Sequence, residues 1–268
     1  MLRHHALHSH VSPVAGSWTP PRVGVCVRSD DAAAHAHARL LARELGLPIV
    51  GEKDAGCDLL LLVTAQGLEL QATGRAAPGA VRAGLGAEGG GARRLAAASR
   101  RQPLARAVGL QKRTPTVVDA TAGWGRDAAV LAKLGCPVLA IERSPVLAAM
   151  LRDALDRLHD CDWRTRITLR VGDAAEILEH LSVDRRPDVV YLDPMFPPRG
   201  KAARPKKDLY VLRRLVGDDP DAARLLETAR RVARQRVVVK RAPHLPPLAP
   251  EPNTSIRSKL LRFDVYFV

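Results

Sequence analysis

The chain has 268 residues, 46% hydrophobic and 26% charged, with 42 Lys and Arg against 28 Asp and Glu and a formal net charge of +14. That mixture is globular and excludes disorder throughout; at about 150 residues per domain the length allows one large domain or two unequal ones. No apolar run is long enough to span a membrane, the first residues lack the continuous apolar stretch of a signal peptide, and the four scattered cysteines form no CxxC pair, so no metal site is expected and a reducing cytoplasm is.

The charge is uneven. Residues 1–91 carry 8 basic and 8 acidic residues, so the whole excess lies in residues 92–268. Of the 42 basic residues 34 are Arg, whose planar fork matches phosphate. The asymmetry points to a polyanion, nucleic acid above a membrane surface. Aromatic residues are only 3%, with none between Trp18 and Trp124, which argues against a sheet that stacks bases on surface aromatics.

Residues 1–21 hold four of the nine histidines and no periodicity; they read as a disordered extension. Val23–Val27 reads as a strand. Asp31–Leu45 reads as a helix with Asp30 or Asp31 as N-cap and Gly46 past its end. Leu59–Val63 reads as a second strand and Leu68–Gln71 as a third. Residues 72–91, rich in Gly and Ala, read as a linker. The expected small α/β domain with its linker is 22–91, and the expected catalytic domain is 92–268.

Residues 92–113 hold seven basic residues and no acid. Arg93, Arg94, Arg100 and Arg101 are therefore candidate phosphate contacts. From Val117 the pattern alternates. Strands are expected at Thr116–Asp119, Val138–Ile141, Ile167–Val171, Val189–Leu192 and Arg236–Lys240, with a strand or hairpin in Ser255–Val268. Helices are expected at Arg126–Leu134, Pro145–His159, Ala174–Leu181 and Asp221–Ala233. This is the signature of a doubly wound parallel sheet.

Four motifs carry chemistry. VVDATAGWGRD (117–127) follows a strand and opens a helix, and Gly123 and Gly125 permit a tight turn and close ligand approach. As a G-x-G-x-x-A it also fits a dinucleotide fingerprint, which alone is weak. Asp119 and Asp127 suit cationic or N–H groups, and Arg126 suits a carboxylate; a zwitterionic amino acid moiety fits them better than a pyrophosphate. Glu142 ends the next strand, where an acid can accept both ribose hydroxyls; that choice does not separate a nicotinamide cofactor from S-adenosylmethionine. Asp173 and Ala174 follow the third strand, where Asp173 can accept an adenine amine or cap a helix. Finally, VVYLDPMFPP (189–198) resembles the [DNS]-P-P-[YFW] loop of amino-group methyltransferases. An exocyclic amine is a poor nucleophile. Asp193 and the Pro194 carbonyl can accept its two N–H bonds, and Phe196 can stack on an unpaired or flipped base. The basic stretch that follows adds Arg199, Lys201, Arg204, Lys206 and Lys207 as candidate RNA contacts. A further cluster, Arg224–Arg241, reads partly as one helix face.

VVDATAGWGRDAAVLAKLGC, IERSPV, VVYLDPMFP, KKDLYVLRRLVG, LLETARRVARQRVVVKR and RFDVY together resemble the RsmJ family, bacterial 16S ribosomal RNA guanine-N2 methyltransferases, over about Leu104 to Val268. The resemblance implies a Rossmann-like class I methyltransferase with a small N-terminal α/β domain, S-adenosyl-L-methionine as cofactor and 16S rRNA or the 30S subunit as partner. It implies cofactor contacts at Arg126-Asp127, Glu142-Arg143, Asp173-Ala174 and Asp193, so Asp193 has two candidate roles. The chain departs from the family's Phe-Gly-Gly-Gly stretch, which corresponds here to Ala96-Ala97-Ala98-Ser99. The competing readings are methylation of a DNA base or a protein amide, and a non-catalytic RNA-binding assembly factor.

Overall fold

The computed structural model describes residues 18–54, 56–85, 89–195 and 206–268. Two sheets organise it. The first, ordered β1-β2-β3-β4, comprises β1 (Val23–Arg28), β2 (Leu59–Thr64), β3 (Gly67–Ala72) and β4 (Val81–Arg82). β1 and β2 are parallel, and α1 (Ala32–Leu45) crosses between them. Asp31 caps α1 by accepting from the Ala33 amide at 3.1 Å, and Gly46 ends it at φ 65°, a left-handed turn that suits glycine.

The second sheet is ordered β10-β11-β9-β8-β5-β6-β7. Its strands are β5 (Val117–Asp119), β6 (Val138–Glu142), β7 (Ile167–Val171), β8 (Val189–Leu192), β9 (Arg236–Arg241), β10 (Thr254–Arg257) and β11 (Arg262–Phe267). The five strands from β9 to β7 are parallel, and β11 runs antiparallel between β9 and β10. The sheet is thus mixed rather than wholly parallel. Chain order reverses at β5, which lies between β6 and β8, and this makes the carboxyl ends of β5 and β8 the topological switch point. The helices are α2 (Gly89–Ala96), α3 (Pro103–Ala107), α4 (Arg126–Lys133), α5 (Pro145–Asp156), α6 (Ala174–Glu179), α7 (Lys207–Val216) and α8 (Ala222–Val232).

One apolar core runs through both sheets, from Val25, Leu61 and Leu70 to Leu104, Leu131 and Val189. The small sheet docks on α5 and α7: the Leu68 amide donates to Asp153 Oδ2 at 3.1 Å, and Arg214 Nη2 donates to Asp58 Oδ1 at 3.3 Å.

Three expectations need correction. The stretch expected as a linker, 72–91, contains β4 and the start of α2, because Val81 is buried and pairs with Leu70. The basic stretch after 189–198, in which no helix is expected, forms α7 from Lys207, since Val211 and Leu215 recur at helical spacing and are buried. In the expected N-terminal extension, Trp18 packs on Gly217 and donates from its indole to the Arg214 carbonyl at 3.4 Å; residues 1–17 lie outside the described residues. No helix among the described residues is long and apolar enough to cross a membrane.

Candidate active site

A cavity of about 420 Å3 opens at the switch point, walled by the carboxyl ends of β5, β6 and β8 and by α7. The turn after β5 forms its floor. A Cβ at Gly123 (φ 54°) would meet nothing nearer than the Thr121 carbonyl oxygen, at 3.8 Å, so the backbone is approachable from the cavity there. Gly125 (φ 71°) is needed for packing: a Cβ would come within 2.4 Å of Leu151 Cδ1. Gly125 is also the N-cap of α4 and supplies no side-chain cap. The first-turn amides of α4 are therefore available to a ligand carboxylate.

Glu142 is buried, and each of its carboxylate oxygens accepts a backbone amide. Gly123 donates to Oε2 at 2.9 Å and Ser144 to Oε1 at 2.8 Å. Burial pushes its carboxyl up, against the pull of those two amides. Asp119 is fully buried at the end of β5. Burial, and then the nearby Asp127 carboxylate, push its carboxyl well above the usual range. An ammonium in the cavity would reverse that shift. Asp173 Oδ1 accepts from the Glu176 amide at 3.0 Å and so caps α6, with Ala174 buried on the cavity wall.

The densest chemistry lies between β5, β8 and β9. Lys240 Nζ donates to Asp193 Oδ2 at 2.6 Å and to Asp127 Oδ2 at 2.9 Å. Asp127 Oδ2 also accepts from the buried Tyr191 hydroxyl at 2.7 Å, and its Oδ1 is paired with Arg94. Burial alone would raise Asp127, but Lys240 and Arg94 outweigh it and bring its carboxyl down to about 2. Burial likewise works against the ammonium, yet Asp193 and Asp127 hold Lys240 protonated above its ordinary range. The 193–195 backbone is pinned on both sides. The Asp193 amide donates to Thr121 Oγ1 at 2.6 Å, and the Met195 amide donates to Asp219 Oδ2 at 2.6 Å.

This architecture is shared with proteins of known family. A family model described as "Putative SAM-dependent methyltransferase" matches residues 41–268. The ribosomal RNA small subunit methyltransferase J of Thioalkalivibrio sulfidiphilus is 46% identical over 251 residues, which cover 91% of this chain and 97% of that one. The protein of the same name from Coxiella burnetii is 42% identical, covering 87% and 92%. A crystal structure of an S-adenosylmethionine-dependent methyltransferase from Neisseria gonorrhoeae superposes with a TM-score of 0.69 at 33% identity, covering 91% of this chain and 95% of that one. The chain belongs to the ribosomal RNA small subunit methyltransferase J family.

The methyltransferase is S-adenosylmethionine-dependent, and the cavity fits that cofactor. The uncapped start of α4 suits its carboxylate, Asp119 suits its ammonium and Glu142 suits its ribose, while Asp127, expected beside the ammonium, is taken up by Lys240, Tyr191 and Arg94. The structure brings Asp119, Gly123, Arg126, Asp127, Glu142, Arg143, Asp173, Ala174, Asp193 and Pro194 to this one cavity. Two cations expected at the cofactor turn instead to acids: Arg126 pairs with Asp208 on α7, and Arg143 with Asp219.

The candidate RNA contacts divide. Arg93 is exposed on α2, and Lys206 and Lys207 are exposed at the start of α7, Lys206 on the cavity wall. Arg94 turns inward to Asp127, because a buried carboxylate needs a counter-charge. Arg100 and Arg101 lie away from the cavity: Arg100 Nη2 donates to Thr114 Oγ1 at 2.8 Å, near the amino end of β5. Phe196, Arg199, Lys201 and Arg204 lie outside the described residues. Lys240, Tyr191, Thr121 and Asp219 were not expected at the site. A lysine ending the buried run Val237–Val239 is the signal that marked the first of them.

Proposed function

We propose that the chain transfers a methyl group from S-adenosylmethionine to N2 of a guanosine in 16S ribosomal RNA, as naked RNA or in the 30S subunit, in the cytoplasm. The observation that carries this reading is Asp193 at the carboxyl end of β8, held by Lys240 at 2.6 Å and facing the cofactor cavity.

When bound, the cofactor would supply an electrophilic methyl on a sulfonium, the methyl–sulfur bond breaking as the methyl is transferred and a neutral thioether leaving. The protein's task is to aim a weak nucleophile at it. The N2 lone pair is delocalised into the base, and acceptors on its two N–H groups restore density to nitrogen. The Asp193 carboxylate takes one and the Pro194 carbonyl takes the other. Pinning of the loop by Thr121 and Asp219 fixes both acceptors in advance. As the C–N bond forms, the nitrogen sheds one proton, and Asp193 receives it before passing it to water. Burial raises the Asp193 carboxyl, and the ammonium of Lys240 pulls against that rise and favours the ionised form that this role needs. Phe196, two residues after Pro194 in sequence, is the aromatic assigned to stack on the base in this proposal.

The test is incubation with labelled S-adenosylmethionine and, in parallel, 16S rRNA, 30S subunits, DNA and protein, with nucleoside mass spectrometry of the products. N2-methylguanosine in the ribosomal samples alone is expected. Label in DNA or protein instead, or no transfer by a protein that binds the cofactor, refutes the reading.

A further inference from the structure

The amino edge of the seven-stranded sheet, opposite the cavity, gathers segments distant in sequence. The loop around α3 meets the start of β8: Arg113 Nη2 donates to Asp188 Oδ1 at 2.8 Å. It also meets the start of β9, where Arg236 Nη1 donates to the Ala107 carbonyl at 3.3 Å. Arg234 reaches the carbonyls of Val183 and Asp184 at 2.8 and 3.0 Å. Phe267, at the end of β11, pairs with Arg236 and closes the edge.

Two independent features single out this edge. The first is charge. Asp188 accepts from the amide and hydroxyl of Thr116, from Gln235 and from Arg113, so its capacity is consumed inside the edge. Arg101, Arg106 and Lys112 are exposed and form no ion pair among the described residues. Burial, and to a lesser extent the charge of Arg113, hold the Arg236 guanidinium below its usual value. The second is an exposed ring. Phe267 is 47% exposed, and the Arg236 guanidinium lies 5.2 Å from its centroid. A solvent-facing aromatic beside guanidinium groups is how proteins hold unpaired bases.

We propose that this edge is a second RNA-contacting surface, holding a single-stranded stretch of the substrate through phosphate contacts at Arg101 and Lys112 and a base stacked on Phe267. The proposal rests on the RNA-methyltransferase reading. Four strand steps separate Arg236 from Lys240, about 13 Å at about 3.3 Å each. The surface therefore grips RNA remote from the target nucleotide, and it selects a substrate large enough to meet both edges.

The experiment measures binding of a 16S rRNA transcript across a salt series for the wild type and three variants. Arg101→Glu/Lys112→Glu is expected to weaken binding at least tenfold and to flatten the log–log salt slope by about 1.4, at about 0.7 per single-strand phosphate contact. Phe267→Ala is expected to weaken binding about tenfold with the slope unchanged, and Phe267→Tyr to bind as wild type. S-adenosylmethionine affinity, which reports the fold, stays constant in all of them. Unchanged RNA affinity and slope in the charge variant, or an equal loss in Phe267→Tyr, overturns the proposal. The two readings fail separately. A wild type that transfers no methyl but whose charge variants lose RNA binding supports this surface and refutes the reaction; intact transfer with unaltered binding refutes the surface alone.

Discussion

Replacing Lys240 by Met tests whether that ammonium sets the state of Asp193. The side chain is 13% exposed and lies 2.6 Å from Asp193 Oδ2 and 2.9 Å from Asp127 Oδ2. Coulomb's law at about 3 Å gives roughly 1.4 kcal/mol in water and about 5.5 kcal/mol at an effective dielectric of about 20. The Asp193 side chain is 37% exposed, so solvent screening favours the lower part of that range. At about 1.4 kcal/mol per pH unit, the acid limb of the rate profile should move up by about one to two units. Stripping the cation from two carboxylates also costs about 3–5 kcal/mol of stability. Assays therefore belong well below the variant's melting temperature, with Lys240→Arg as the charge-conserving control. The measurement is kcat for methyl transfer across pH 5–9, and Lys240→Arg should retain the wild-type limb. A Lys240→Met enzyme that loses rate by the same factor at every pH would show that the lysine only braces the fold, and the reasoning would fail.

Three further outcomes follow from the geometry. Glu142→Gln places an amide nitrogen against one of two backbone N–H groups and removes an ionised acceptor, so S-adenosylmethionine affinity by calorimetry should fall about ten- to hundredfold, at about 1.5–3 kcal/mol for a hydrogen bond to a charged group. Gly125→Ala strains a left-handed position and drives a methyl into Leu151, so it should cost about 2–4 kcal/mol in denaturant titration. Asp127, depressed to about 2 in the fold, adds stability that is present above its unfolded value and lost as pH falls through the folded one. Between about pH 4 and pH 2 the wild type should lose about 2 kcal/mol more than Asp127→Asn, and parallel acid denaturation curves would refute the assignment.

What the sequence made legible follows from where each signal is stored. The turn after β5 and the ends of β6 and β8 are local patterns: apolar runs of strand length, each stopped by Asp119, Glu142 or Asp193. A doubly wound sheet delivers such strand ends to one edge, so reading the alternation placed all three acids together before any contact was known. Their partners are a different matter. Lys240 is 113 residues from Asp127 and 47 from Asp193, and Tyr191 is 64 from Asp127. Nothing in local spacing records such pairings. Arg94 illustrates the cost: counted by charge it belongs with its neighbours as a phosphate contact, but one helical residue apart from Arg93 is about 100° of rotation, enough to point it at Asp127. The helix α7 was hidden in the same way, its apolar stripe of Val211 and Leu215 masked by the lysines and arginines around it.

The net charge of +14 poses a conflict that the fold resolves by position. S-adenosylmethionine carries a sulfonium and an ammonium, while the proposed substrate is a polyanion. A uniformly basic surface would draw the RNA and repel the cofactor. The carboxylates collect at the carboxyl edge, where Asp119, Asp127, Glu142, Asp193 and Asp219 all line the cavity. Arg101, Arg106 and Lys112, exposed and without an ion pair among the described residues, lie on the segment that meets the amino edge through Arg100 and Ala107. Four of the cations lining the cavity are matched, Lys240 and Arg94 to Asp127, Arg143 to Asp219 and Arg126 to Asp208, while Lys206 stands exposed on its wall. Matched cations contribute little to the far field, so the cavity keeps an acidic interior inside a basic protein. Raising salt should then weaken RNA binding steeply while leaving cofactor binding nearly flat, because the buried pairs are screened far less than the exposed edge. Equal salt dependence for the two ligands would mean that both are governed by the same overall charge, and that the division between edges carries no weight.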